Sequence, residues 1–238
     1  PFAANAEIVI EGWMDPTDRK TEGPFGEWTG YYASSSRPEP VIRVENIYYR
    51  NDPILCCARP GRPPSDYSIA KCMVKASLIW EQVEKAGVPD VRGVWCHEAG
   101  GGRLFNIISI KQRYPGHARQ AMLVASQVHA GAYLGRYVIV VDEDIDPTNT
   151  FDVLWALASR SDPVESIEIL RRCWSGPLDP RIQPGKKGFN SRAVIDACRP
   201  FEWMKDFPPV AESSPELRDK IYNKWKKVIE EAKVEKVQ

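Results

Sequence analysis

The spacing of apolar residues changes period twice along the chain. Residues 7–11 alternate as a strand, and 41–50, rich in β-branched and aromatic residues, predict a longer one, so the first 60 residues read as all-β. Then Ile69, Met73, Ala76, Ile79, Trp80 and Val83 recur at helical spacing until Gly87-Val88-Pro89 stops the run. Residues 91–96 and 104–110 predict strands, and 117–127 a helix. Residues 137–141 predict a strand buried on both faces, as parallel sheets require. A helix over 150–160 and a short strand over 167–170 continue the alternation, which makes the fold class α/β. Frequent proline and glycine over 174–209 predict an ordered but irregular loop. Finally Leu217, Ile221, Trp225, Val228 and Ile229 share one face of an amphipathic helix, facing its own core or a neighbouring subunit.

The strongest punctuation is Arg59-Pro60-Gly61-Arg62-Pro63-Pro64-Ser65-Asp66, whose Ser65/Asp66 end suits a helix N-cap. It divides the chain into residues 1–60, 61–209 and a C-terminal helical segment, 210–238. Composition changes this picture little: 43% hydrophobic and 27% charged residues are ordinary for a globular protein. Lys+Arg and Asp+Glu both number 32, so nothing electrostatic argues for a nucleic-acid partner or an anionic membrane. The six cysteines show no CxxC spacing and read as reduced thiols of a cytoplasmic protein, not as a zinc site. No apolar run reaches the roughly 20 residues that span a bilayer. The chain starts at Pro1 and enters a strand almost at once, which predicts that further sequence precedes it.

Candidate chemistry centres on Glu22-Gly23-Pro24-Phe25-Gly26-Glu27, where two carboxylates flank a turn. Pro24 presets its own φ and biases Gly23 toward extended geometry, and Gly23 and Gly26 admit angles closed to other residues. Such preorganisation suits acid/base work, and equally a solvated surface turn. Asp142-Glu143-Asp144-Ile145-Asp146-Pro147 leaves the end of a predicted parallel strand; it could hold a divalent metal, as in a phosphatase, or form a turn and helix entry. Glu98-Ala99-Gly100-Gly101-Gly102-Arg103 could cradle phosphate, but its place between two strands favours a connection. Lys111 and Arg113 could meet an anion at a helix start, or only cap it. His97, His117 and His129 are dispersed and read as structural.

The acid-pair segment, followed by Trp28-Thr29-Gly30-Tyr31, resembles that of the UbiD family of reversible decarboxylases. So do Glu7-Ile8-Val9-Ile10-Glu11-Gly12, Ile110-Lys111-Gln112-Arg113-Tyr114-Pro115-Gly116-His117-Ala118, Val140 through Asp146, and Asp152-Val153-Leu154-Trp155-Ala156, in the family's order and across nearly the whole chain. The resemblance implies the end of a split β-barrel domain that binds prenylated FMN, then an α/β domain, then an intersubunit helix in a homo-oligomer. It implies decarboxylation of an aromatic, heteroaromatic or α,β-unsaturated carboxylic acid, releasing CO2, with the flavin taking the electrons. A flavin prenyltransferase would supply the cofactor. Glu27 maps onto the general acid/base and Glu22 onto its supporting carboxylate. Their partner arginine, and the ligands of the divalent metal and potassium expected in the family, fall upstream of Pro1, and no flavin-binding residue is assigned. By analogy the substrate pocket involves the helix start at 68–71, Tyr133 and Leu178. The alternative is a non-catalytic oligomerisation or interaction fragment of such an enzyme.

Overall fold

β1 (Ile8–Glu22) and β2 (Arg37–Tyr49) pair antiparallel as a long two-stranded ribbon. β1 runs well past the predicted alternation because its register shifts twice, between Glu11 and Gly12 and between Met14 and Arg19. The second shift carries Pro16, which has no N–H to give, out of the ladder. The ribbon closes no barrel among the described residues, and none of its residues is buried. The computed structural model describes residues 3–33, 35–183, 185–186 and 188–234, and side chains at 66, 67 and 231–234 are outside that description. Two compact units are present, Pro1–Glu202 and Trp203–Gln238.

α1 (Asp66–Lys85) starts as the sequence predicts: the Ser65 hydroxyl accepts the Ser68 N–H, and the Ser68 hydroxyl accepts the Ser65 N–H. Beyond it lie β3 (Val91–Cys96), β4 (Phe105–Ile110), α2 (His117–Gln127), the single turn α3 (His129–Ala132), β5 (Tyr137–Asp142) and α4 (Thr150–Arg160). β6 (Ile167–Trp174) and β7 (Phe189–Ala197) complete a five-stranded sheet of order β3-β4-β5-β7-β6. β4, β5 and β7 run parallel, and β3 and β6 are antiparallel edges. Alternate residues of the central strands feed two cores. Ile108, Ile110, Val138, Val140 and Val194 face α1 and α2, and Ile107, Ile139, Val141 and Ile195 pack with Val153 and Ala156 of α4. That two-sided burial explains the unbroken apolar run of β5.

The segment 174–209 departs from the sequence expectation, because its middle is β7, paired to β5 and β6. Arg192 hides it: a strand interior carrying an arginine does not read as apolar. The arginine is nonetheless 1% exposed and donates to the carbonyls of Ser126, Gly131, Ala132 and Trp174. It satisfies carbonyls left open where α2 and α3 end, so the buried charge meets oriented dipoles. Described by itself, the second unit contains α5 (Pro215–Val234), whose predicted stripe of Leu217, Ile221, Trp225 and Val228 is exposed. No helix of the described residues is long and apolar enough to cross a membrane.

Candidate active site

Gly23 precedes Pro24 but does not adopt the extended backbone expected of it. Its φ is 82°, a left-handed angle that costs a residue without Cβ nothing. The chain then turns tightly, with Gly30 N–H donating to the Glu27 carbonyl (2.8 Å) and Glu27 N–H to the Tyr31 carbonyl (3.0 Å). This loop fixes the backbone on both sides of the Glu27 side chain. Trp28 packs against Gly101, where a Cβ would fall 2.3 Å from the indole, so residue 101 must be glycine for the two loops to meet. Arg103 sits 4.7 Å and Lys71 5.9 Å from the centroid of the same indole, which draws both cations to Glu27's neighbour.

Glu27, Lys71, Arg103, Ser68 and Leu178 line one cavity of about 330 Å³, closed on another side by Pro60, Gly61 and Pro63. Burial, reinforced by Arg103, pushes the Lys71 amine down to about 8. Lys75, one helical turn on, is likewise lowered to about 8, chiefly by burial. Leu178 thus reaches the Glu27 cavity from a connection more than 150 residues away in sequence. Tyr133 stands behind that connection rather than in the cavity lining. Its ring lies 4.8 Å from that of Trp174, and its hydroxyl abuts Gly176. Glu22 ends β1 and is exposed, lining a shallow groove between the ribbon strands together with Glu39, Lys20 and Phe25. The two glutamates therefore face different cavities. Trp28, Lys71 and Arg103 were not singled out in the sequence as a cluster; the Gly101-Gly102-Arg103 run was the available signal, and it marked the close approach to Trp28.

The other candidates resolve into structural roles. Asp142, 2% exposed, accepts Gln112 Nε2 on Oδ1 (2.8 Å), and Arg160 Nη1 (3.1 Å), Arg199 N–H (2.8 Å) and Arg199 Nε (3.1 Å) on Oδ2. Asp144 takes both arms of Arg160 at 2.9 and 2.8 Å; burial alone would raise its pKa, but the fork holds it below the usual value. Arg160, Arg199 and the Gln112 amide occupy the Asp142 and Asp144 oxygens that a metal would need, which overturns the phosphatase option. Lys111 pairs with Glu143 at 3.2 Å and Arg113 with Asp90, so that junction is already neutralised. His97 accepts the Ala99 N–H on Nδ1, which leaves Nε2 protonated and donating to Thr150 Oγ1 (2.6 Å); it cannot activate that hydroxyl as a base. His117 is buried against Tyr114, with ring centroids 4.5 Å apart.

A sheet of this order, with an acid-bearing loop held at the start of its first helix, defines an α/β domain coupled to a β-ribbon. The family model described as the 3-octaprenyl-4-hydroxybenzoate carboxy-lyase C-terminal domain matches residues 68–197, and that of its Rift-related domain matches residues 1–63. The chain belongs to the UbiD family. A phenolic acid decarboxylase from Streptomyces sp. (strain D7) is 33% identical over 224 residues, 90% of this chain and 46% of that protein. Among solved structures, the UbiD-class enzyme HmfF from Pelotomaculum thermopropionicum in complex with FMN is similar at a TM-score of 0.74 and 29% identity, over 90% of this chain and 45% of its own. The vanillic acid decarboxylase of Sedimentibacter hydroxybenzoicus in its closed form gives 0.73 and 30%, over 91% and 45%. The chain therefore spans about half the length of the relatives that it matches.

Proposed function

We propose that this chain carries the acid/base half of a decarboxylase acting on aromatic carboxylic acids with prenylated FMN. The observation behind this reading is the shared cavity: Glu27 lies with Lys71, Arg103 and the N-terminal turns of α1 in one pocket. Two cations and a helix start favour the substrate carboxylate before it leaves as CO2. Leu178 and the Pro60–Pro63 wall exclude water beside it. Glu27 then delivers a proton to the carbon that has lost CO2, where it becomes the product's C–H, and takes another from solvent for the next turnover. Glu22, at the far side of the Gly23-Pro24 turn, supports this carboxylate through a group that neither residue supplies.

The residues present fit a flavin-type cofactor. Trp28 Nε1 and Thr29 Oγ1 are buried beside Glu27 with no hydrogen-bond partner among the described residues, so a group carrying acceptors fits there. Prenylated FMN, when bound, supplies the electron sink for carboxylate loss. Phenolic acids are the substrate class suggested by the relatives. The division into a flavin-domain segment (1–60), an α/β domain (61–209) and a C-terminal helix (210–238), and a homo-oligomer built through that helix, belong to the same proposal.

The test is CO2 release from vanillate by protein co-produced with a flavin prenyltransferase. Glu27→Gln should lower turnover by about 10²–10⁴-fold, the usual worth of a positioned acid/base, with folding unchanged by circular dichroism. Full activity in Glu27→Gln would sink the assignment.

A further inference from the structure

A second cavity of about 720 Å³ opens on the other side of the connection that carries Leu178. Its lining includes Arg136, Arg172, Arg181 and Lys186, and no acidic residue. Arg136 is spoken for: the fully buried Asp179 carboxylate accepts both contacts from its Nη2, at 2.5 and 2.6 Å. Among the described residues, no ion pair or side-chain hydrogen bond engages the charged groups of Arg172, Arg181 or Lys186. Three positive charges thus share one open groove with the amide side chains of Gln183 and Asn190.

The backbone is shaped to keep one of them there. β6 shifts register between Leu170 and Cys173, and Arg172 inside that bulge has φ 57°, a left-handed angle that a residue with a Cβ adopts rarely. Bulges re-aim side chains, and this one sets the Arg172 guanidinium 5.1 Å over the ring of Phe189, on the groove wall. Solvent-facing cations that merely aid solubility need no such conformation.

We propose that this groove binds a polyphosphate anion, with Arg172 and Arg181 taking phosphate oxygens through their planar forks and Lys186 adding a point charge. The same connection, residues 175–188, presents Leu178 to the Glu27 cavity and Arg181 and Lys186 to the groove, with Asp179 pinned between them. A ligand seated on Arg181 therefore fixes the position of Leu178. The consequence for catalysis rests on the decarboxylase reading; the binding does not.

Calorimetric titration of pyrophosphate into the purified chain at ~50 mM salt, where screening is modest, tests the site directly. One saturable site is expected, weakened about tenfold or more in Arg181→Ala and in Arg172→Ala, because each removes a forked donor. Arg218→Ala, a cation on α5, should leave it unchanged. Saturating pyrophosphate should also slow tryptic cleavage after Arg181, a readout independent of any decarboxylase activity. Tighter binding of ADP than of pyrophosphate supports the site with a nucleotide as the source of the phosphates. No saturable binding, or binding that Arg181→Ala and Arg172→Ala leave intact, overturns the proposal. Unslowed cleavage at saturation overturns the link to Leu178.

Discussion

The β1–β2 ribbon and the five-stranded sheet use similar residues to opposite effect. In the sheet, Ile107, Ile108 and Ile139 are at most 1% exposed, whereas in the ribbon Ile10, Trp13 and Tyr49 are 59%, 71% and 72% exposed. Both are paired strands, and what separates them is burial. Burying an apolar side chain is worth about 1.5–3 kcal/mol, and a two-stranded ribbon without it is marginal in water. The sheet therefore holds the chain together, and the ribbon carries an acid loop whose other wall the sheet domain supplies. Glu27 sits where the two meet, between a ribbon-side turn and the first turns of α1.

The largest effect that can separate the two regions lies under β5. Asp142→Ala would leave Arg160, whose side chain is 2% exposed, with only the half-exposed Asp144 for a partner. Removing one member of a buried ion pair costs roughly 3–5 kcal/mol. Urea unfolding should show a midpoint lowered accordingly with an unchanged slope, and Asp144→Ala should cost less. A loss below about 1 kcal/mol for Asp142→Ala would mean that the cluster does not hold the sheet.

Most of the sheet domain was legible in the sequence because its apolar periods are clean: β3, β4, α2, β5 and α4 lie where residues 91–96, 104–110, 117–127, 137–141 and 150–160 predict them. β7 was not, because Arg192 in a strand interior defeats a reading by hydrophobicity; its solvation by four carbonyls from other elements is a tertiary fact. The acid loop was legible as two glutamates on a constrained turn. Which cavity each one faces was not, since that depends on Trp28 meeting Gly101 across some 70 residues. Lys71 and Arg103 join Glu27 through the same long-range contact, and no spacing rule links them.

A middle-sized effect concerns the boundary between the regions. Lys71 and Lys75 titrate near 8 in the folded chain instead of near 10.5. Between those values the unfolded chain binds more protons, so the lysines make stability rise with pH from about 8 toward 10.5 and withdraw that contribution as pH falls through 8. Cys72 and Cys96, pushed by burial up to about 11 and about 12 from 9.0, act in the opposite sense above pH 9. The rise should therefore be clearest between pH 8 and 9, and Lys71→Met/Lys75→Met should flatten it. A slope that is the same in that double variant would show that neither amine is desolvated at the α1 face.

The smallest effect is the sharpest probe of the ribbon. Trp13 pairs with Arg43 across the strands and is 71% exposed, so Trp13→Ala in this chain removes little buried area. The unfolding free energy should change by no more than about 0.5 kcal/mol, as for other surface substitutions. A comparable deletion in the sheet, Ile108→Ala, should cost about 2–5 kcal/mol, because it empties a packed site. If Trp13→Ala instead costs as much as Ile108→Ala, the ribbon possesses a core of its own and the comparison fails. If the cost is small here but rises above about 2 kcal/mol in a polypeptide of the relatives' full length, the exposed ribbon face is one wall of a larger β-domain. The Glu27 loop then owes its rigidity to both walls, the sheet domain on one side and that larger β-structure on the other.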